Sequence, residues 1–187
     1  MPLSFDFPFE KLLTYQGTNP LPAKFDAYWN QGLTEMRAIK PNVELKRAAF
    51  QAPFADCFEM TFTGTGGARV FAKLLKPKNA KGRQPAVLNF HGYSGSSGDW
   101  VGYLPYAAAG FVVAALDCRG QGGNSEDVGG VTGGTLRGHI IRGLKGPVEN
   151  LYYRHVFLDT ALMAKIVMEM PEVDPARVGA YGGRALK

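Results

Sequence analysis

The spacing of apolar residues divides the front of the chain into an arm and a helix. Residues 1–22 carry Pro8, Pro20 and Pro22 and show no repeat, which predicts an extended N-terminal arm. Over residues 23–39, apolar side chains recur at steps of three and four, which predicts an amphipathic helix ending before Pro41. The residues of that repeat are Phe25, Trp29, Leu33 and Met36.

Three β-rich segments follow, over residues 43–50, 57–63 and 69–75. The glycine-rich stretch 64–67 lies between the second and third segments, as the connection of a hairpin does. This part of the chain therefore predicts a β-meander.

The pattern changes after residue 84. Residues 85–90 and 111–116 are short apolar runs without polar alternation, which is typical of strands buried on both faces of a sheet. Residues 177–181 begin a third strand. Helices are predicted at 100–109, where Pro105 limits the length, and at 150–170, with Asn150 as N-cap and Lys165 paired with Glu169. Strands alternating with helices predict an α/β fold with a parallel sheet.

Composition narrows the class of protein. The 187 residues suit one domain of ordinary size, and 45% hydrophobic residues exclude a disordered chain. The two cysteines, Cys57 and Cys118, exclude a disulfide scaffold and a four-cysteine zinc site. The net charge of +5 is spread out, so we interpret the basic stretch 73–81 as a solvated turn and expect no nucleic-acid partner.

Membrane and secretion signals are absent from the sequence. No apolar run approaches the roughly 18–20 residues of a membrane helix. The N-terminus has no basic stretch followed by an apolar segment, so we expect a cytoplasmic protein without a membrane partner.

Candidate chemistry lies where the predicted strands end, because open α/β sheets bind ligands at the carboxyl ends of their strands. The three ends are residues 91–93, 117–122 and 182–183. The glycines after the first strand allow either an oxyanion hole made of backbone N–H groups or simple tight turns, and the loops alone favour neither. The long, glycine-rich connection 117–146 is expected to be functional.

The sequence gives weaker support for a phosphate site, a metal site or a reactive thiol. No phosphate-binding loop is present, and His91, His139 and His155 have no metal-ligand spacing. His155 and Asp159, four residues apart, favour a structural pair. Cys118 beside Arg119 allows a lowered thiol pKa, although an inert cysteine is the favoured interpretation.

Residues 173–183 lead into the third strand end as a strand leads into a Gly-x-Ser-x-Gly nucleophile elbow. With Gly182 as the first glycine, the serine belongs at position 184, where the sequence has Arg184. No other serine has the required flanking glycines. The sequence therefore predicts an elbow strand without its nucleophile.

These residues together resemble the acetyl xylan esterase and cephalosporin C deacetylase family, carbohydrate esterase family 7 of the α/β-hydrolases. The resemblance covers residues 5–183, and the remainder, 184–187, looks unrelated to it. It is carried by the segments 25–29, His91-Gly92-Tyr93-Ser94-Gly95, 117–122, 142–144 and 152–159. The combination of Arg119-Gly120-Gln121-Gly122 with Tyr152-Tyr153-Arg154 is the most specific part.

The resemblance implies an α/β-hydrolase fold, in its N-terminal portion only, with a helical arm and a β-meander. It implies a serine esterase that deacetylates short xylo-oligosaccharides and cephalosporin C without a metal or other cofactor. By this resemblance, the backbone N–H of Tyr93 is an oxyanion-hole donor, and Tyr93 takes part in substrate binding. Arg119, Gly120 and Gln121 match a family signature that supports the site. The second oxyanion donor maps onto Ala185, and the triad aspartate and histidine have no counterpart here.

We therefore expect three domain segments: an arm (1–22), the hydrolase portion (23–183) and an aberrant tail (184–187). The favoured interpretation is a truncated gene product that is inactive alone. A divergent short form, a non-catalytic binding or assembly module, a nonfunctional remnant and a homo-oligomer stay open as alternatives.

Overall fold

The computed structural model describes residues 6–128 and 141–183, in two compact units, Met1–Gln31 and Gly32–Lys187. In the first unit, the expected extended arm contains one helical turn, α1 (Phe9–Leu12), which starts after Pro8. The predicted amphipathic helix is confirmed as α2 (Phe25–Ala38), which begins in the first unit and ends in the second.

The predicted meander forms one half of the sheet. Its strands are β1 (Glu44–Arg47), β2 (Ala55–Thr63) and β3 (Arg69–Pro77), each antiparallel to the next. A short 3-10 turn, Thr65–Gly67, closes the β2–β3 hairpin. Gly66 there has φ +66°, in the left-handed region that glycine enters without steric cost.

The second half of the sheet is parallel. It consists of β4 (Gln84–Phe90), β5 (Val112–Asp117) and β6 (Val173–Gly182), and β4 pairs in parallel with both β5 and β6. β5 also pairs antiparallel with β3, so that the described strands form one six-stranded sheet in the order β1-β2-β3-β5-β4-β6. The predicted α/β class is confirmed.

Helices connect the parallel strands. A 3-10 turn (Trp100–Tyr103) runs into α3 (Leu104–Ala108), whose first turn contains Pro105, and a second 3-10 turn (Val148–Asn150) precedes α4 (Tyr152–Met168). The prediction of Asn150 as N-cap is wrong. Leu151 is the N-cap, and the Tyr152 amide is satisfied by the Arg142 carbonyl at 3.0 Å, so no side-chain cap is used.

Burial differs strongly among the elements. Every residue of β5 is buried, and α4 contributes Leu158, Leu162 and Met163 to the core. The exposed Lys165–Glu169 pair is confirmed, with its charged atoms 2.7 Å apart. Among the described residues, no helix is both long and apolar enough to cross a membrane. The middle of the predicted functional connection, including His139, lies outside the described residues.

Candidate active site at the carboxyl ends of the strands

The ends of β4 and β6 meet at the carboxyl edge of the sheet. The Gly183 amide donates to the Phe90 carbonyl at 3.0 Å. A Cβ on Gly182 would come within 2.9 Å of that same oxygen, and a Cβ on Gly183 would lie 3.4 Å from the Gly92 nitrogen. The paired glycines therefore pass directly beside the loop that begins at His91, where a larger residue at position 182 would collide with backbone.

His91 joins the ends of β4 and β5. Its Nε2 accepts a hydrogen bond from the Cys118 amide at 2.8 Å. Because Nε2 is the acceptor, Nδ1 carries the proton of the neutral ring and donates to the Gly92 carbonyl at 2.7 Å. The ring therefore links the backbone that leads to Tyr93 with the backbone at the end of β5.

The two glycine-rich loops pack backbone against backbone. The Ser94 amide donates to Oε1 of Gln121 at 2.8 Å, and the Gly122 amide donates to the Gly95 carbonyl at 3.1 Å. A Cβ on Gly122 would lie only 2.7 Å from the Ser94 carbonyl oxygen, so this approach requires glycine. Ser94 itself has φ +63°, a left-handed conformation that costs a non-glycine residue about 1 kcal/mol or more. Tyr93, half-buried, lies between these fixed neighbours.

Arg119 is a structural anchor rather than a surface group. It is 1% exposed and pairs with Asp159 through Nε to Oδ2 at 2.7 Å and Nη2 to Oδ1 at 2.8 Å. The same Nη2 donates to the Thr65 carbonyl and hydroxyl, each at 2.8 Å. Asp127 gives a further ion pair at 3.4 Å. Arg119 thereby ties the loop after β5 to α4 and to the β2–β3 turn.

The predicted structural pair of His155 and Asp159 takes a different form. Both side chains contact Thr65: Nδ1 of His155 lies 3.0 Å from its hydroxyl, and Oδ1 of Asp159 accepts from its amide at 3.0 Å. Thr65, in the β2–β3 turn, therefore links His155 to Asp159, because it lies within hydrogen-bond distance of both side chains. Burial, together with the positive charge of Arg119, lowers the pKa of His155.

Cys118 does not have the lowered pKa that its position beside Arg119 allowed. Burial, with the nearby negative charges of Asp159 and Asp117, raises the pKa of its thiol to about 12. The guanidinium of Arg119 is already engaged by Asp159, which explains why it does not stabilise a thiolate. The inert interpretation is the one that this environment favours.

Asp117 is a buried organising residue that the sequence reasoning missed. Its carboxylate accepts from the Ser97 amide at 2.5 Å and from the Asn124 amide at 2.8 Å, which holds the loops after β4 and β5 together. A Cβ on Gly123 would lie 2.1 Å from the Asp117 carboxyl carbon. An acidic residue ending an otherwise apolar strand was the available signal, since a buried carboxylate needs several donors.

Among residues 6–128 and 141–183, no cluster of three or more histidine, cysteine, aspartate or glutamate side chains is arranged to hold a metal. Arg184, expected in the nucleophile position, and Ala185 lie outside the described residues.

The sheet order, the glycine-rich loops after β4 and β5 and the converging end of β6 define the chain as an α/β-hydrolase in the portion that it covers. Comparison with known proteins gives the particular family. The family model described as Acetyl xylan esterase (AXE1) matches residues 1–185, so this chain belongs to the acetyl xylan esterase family.

Two solved structures show the extent of the similarity. Acetyl xylan esterase 1 from a Thermoanaerobacterium species is 58% identical with a TM-score of 0.87, covering 95% of this chain and 56% of its own. The acetyl xylan esterase from a Paenibacillus species is 25% identical with a TM-score of 0.82, covering 95% of this chain and 57% of its own. The chain thus spans a little over half the length of these relatives.

Proposed function

We propose that this chain supplies the oxyanion-binding side of an esterase that removes acetyl groups from acetylated carbohydrates. One observation carries the proposal: the end of β6, where a nucleophile elbow begins, lies against the loop of His91 and Gly92. A carbonyl held there would have backbone N–H groups on one side and the elbow on the other, which is the arrangement that acyl transfer requires. Membership of the acetyl xylan esterase family supports the choice of acetyl esters.

In the proposed reaction, the carbonyl oxygen of the acetyl group becomes negatively charged when a nucleophile attacks its carbon. The backbone N–H of Tyr93 is proposed to donate to that oxygen, as the family resemblance implies. Gln121 and Gly122 would support it by holding the neighbouring Ser94 and Gly95. Because this stabilisation acts mainly in the transition state, it contributes to the rate more than to substrate affinity.

We further propose that the 187-residue polypeptide does not carry out the serine reaction by itself. Position 184 holds arginine, and a guanidinium stays protonated in proteins, so it does not replace a serine hydroxyl as nucleophile. Acetylated xylo-oligosaccharides and cephalosporin C are the proposed substrates of the whole enzyme. A cytoplasmic location and a mechanism without cofactor belong to the same proposal.

The inactivity of the polypeptide is tested directly with p-nitrophenyl acetate. We expect the purified 187-residue chain to release no more product than the same sample after heat denaturation. Stoichiometric labelling by a serine-reactive fluorophosphonate would contradict the proposal, since it would reveal an activated serine elsewhere in the chain.

The acetyl esterase assignment is tested by a chimera. Residues 1–183 of this chain replace the corresponding part of the Thermoanaerobacterium acetyl xylan esterase, to which the chain is 58% identical. We expect this chimera to release acetate from acetylated xylo-oligosaccharides. The matched control moves the junction one residue, so that the chimera keeps Arg184, and is expected to be inactive. A folded, inactive first chimera would overturn the assignment.

A second candidate function, a non-catalytic assembly module, is favoured by the apolar surface of the first unit. Phe9, Leu13 and Leu21 there are each more than two-thirds exposed, and exposed apolar patches mark interaction sites. Light scattering after size-exclusion chromatography tests this candidate, which predicts a defined oligomer that dissociates on Phe9→Ser and Leu13→Ser substitution.

A further inference from the structure

The structure assigns to Tyr152 the role of a positioning residue for the oxyanion loop, acting through Gln121. This inference rests on the proposed function, because it takes the loop of Tyr93 and Ser94 as the oxyanion-binding element. Tyr152 lies on α4, in the Tyr152-Tyr153-Arg154 segment, and its hydroxyl contacts Gln121 and Arg119.

The Tyr152 hydroxyl forms hydrogen bonds with Arg119 and Gln121. The hydroxyl is 2.6 Å from the Arg119 carbonyl oxygen, which can only accept, so its single proton is donated there. Towards Gln121, 2.8 Å away, the hydroxyl must therefore act as the acceptor. Only the NH2 end of the Gln121 side chain can donate to it.

That constraint sets the direction of the whole amide. With Nε2 of Gln121 committed to Tyr152, Oε1 faces the opposite way, where it accepts from the Ser94 amide at 2.8 Å. The reversed amide would place two donors against each other at the Ser94 amide. A directional chain of three hydrogen bonds thus runs from Ser94 through Gln121 and Tyr152 to the Arg119 carbonyl.

Tyr152 is itself rigidly held, which a positioning residue requires. Its side chain is 2% exposed, and the guanidinium carbon of Arg142 lies 5.0 Å from its ring centroid. Its backbone amide donates to the Arg142 carbonyl at 3.0 Å. Burial raises the pKa of Tyr152 above the ordinary value of a tyrosine, which favours the protonated hydroxyl that donates to Arg119.

The loop that receives this support needs it, because Ser94 adopts a left-handed conformation at φ +63°. The hydrogen bond to Gln121 stabilises the strained residue, and the position of Ser94 in turn fixes the peptide that joins it to Tyr93. Loss of the Tyr152 hydroxyl would free the Gln121 amide to rotate, while the aromatic ring would keep its packing.

The experiment measures hydrogen exchange of the Ser94 amide in the 187-residue chain by NMR. We expect Tyr152→Phe to accelerate this exchange about tenfold, because a hydrogen bond contributes about 1 kcal/mol and the half-buried bond from Ser94 to Gln121 would no longer be held in place. The amides of Leu74 and Leu75 in β3 report global opening, and their exchange rates should stay within about twofold of those in the unsubstituted chain. Tyr153→Phe removes the same hydroxyl from the adjacent, less buried tyrosine, and should leave Ser94 unchanged.

A double-mutant cycle separates positioning from general packing. Gln121→Ala should also accelerate Ser94 exchange, and adding Tyr152→Phe to it should change nothing further, since Tyr152 acts through Gln121. Additive effects, or an unchanged Ser94 amide in Tyr152→Phe, would overturn the inference. If Tyr152→Phe does not fold, nuclear Overhauser contacts in the unsubstituted chain decide the question. The Nε2 protons of Gln121 must then lie beside the Tyr152 ring, and their absence from it refutes the role.

The active chimera gives an independent readout. There, Tyr152→Phe should lower kcat about tenfold with KM unchanged, because the affected donors act on the transition state. An inactive chimera would count against the proposed acetyl esterase function, whereas the exchange experiment would still decide whether Tyr152 positions the loop. The two failures are therefore distinguishable.

Discussion

β5 and β6 flank the same central strand, β4, and both run parallel to it, yet their surroundings differ. All six residues of β5 are buried, whereas most of β6 is exposed within the described part of the chain. Each has an Arg–Asp pair at 2.7 Å nearby: Arg119–Asp159 beyond β5, with side chains at most 1% exposed, and Arg177–Asp174 within β6, where the arginine is 56% exposed. Equal contact distance therefore does not mean equal energetic weight, because burial removes the solvent that would otherwise replace a lost partner.

The largest expected effect is that of breaking the buried pair. Asp159→Asn should lower the free energy of unfolding by about 3–5 kcal/mol, since it leaves the Arg119 guanidinium buried without its countercharge. Urea denaturation followed by circular dichroism measures the change. The matched substitution Asp174→Asn, at the exposed pair, should leave the urea midpoint within experimental error, and equal losses in both variants would refute the contrast between the strands.

The same contrast extends to apolar side chains. Val113→Ala in β5 removes two methyl groups from a fully buried site, and we expect a loss of about 2–3 kcal/mol of unfolding free energy. Val178→Ala in β6 makes the same chemical change at a half-exposed position and should cost less than about 1 kcal/mol. Thermal unfolding of both variants side by side provides the measurement. A Val178→Ala cost as large as that of Val113→Ala would show that β6 is covered in solution.

The third effect is a difference in how the stability contributed near β5 and near β6 depends on pH. The pKa of His155, beneath the loop after β5, is lowered in the folded protein by burial and by Arg119. Folding therefore favours the neutral ring, and stability should fall as the pH decreases through the unfolded-state pKa, whose ordinary value is 6.5. His155→Gln should flatten the stability profile between about pH 7 and pH 5.

Glu172, just before β6, provides the comparison. Burial tends to raise its pKa, but the hydrogen bond and charge of Lys76 outweigh that and lower it below 4.5. The contribution of Glu172 to folding stability should be present above pH 4.5 and should be lost only as the pH falls through its lowered pKa in the folded protein. Glu172→Gln should therefore alter the profile only in the acid range, and a change near pH 6 would contradict this assignment.

The smallest expected signal is an unreactive thiol. With a pKa of about 12, Cys118 should not react with a disulfide reagent at pH 8 in the folded protein, and it should become reactive in denaturant. Ala180→Cys places a thiol at an exposed position of β6 and should be modified rapidly under the same conditions. Rapid modification of native Cys118 would show that the end of β5 opens readily.

Apolar periodicity was sufficient to predict the elements that pack into the core, whereas the single turn α1, which buries no residue, was not predicted. It predicted β4 and β5 as doubly buried strands and α2 as an amphipathic helix, in agreement with the structure. The Asn150 cap was wrong because a more distant residue, Arg142, satisfies the amide of Tyr152. A propensity rule does not include such a long-range partner.

The candidate site was less predictable, for a physical reason. The strand ends indicated where His91, Arg119 and Gln121 would converge, since parallel strands bring their carboxyl ends to one edge. Their partners are separated from them by tens of residues in sequence: Thr65 contacts Arg119, and Tyr152 contacts Gln121. Hydrogen-bond geometry of this kind depends on loop paths that no local pattern encodes.

The strand order also determines the course of folding. β2 and β3 meet through a short turn, so their pairing closes a small loop and can form early. β6 pairs with β4 only after the intervening chain has been made, since Leu88 faces Ala180 across the ladder. During synthesis the edge of β4 that pairs with β6 therefore stays unpaired until β6 has left the ribosome, and the exposed edge makes misassembly of the nascent chain easier during this interval.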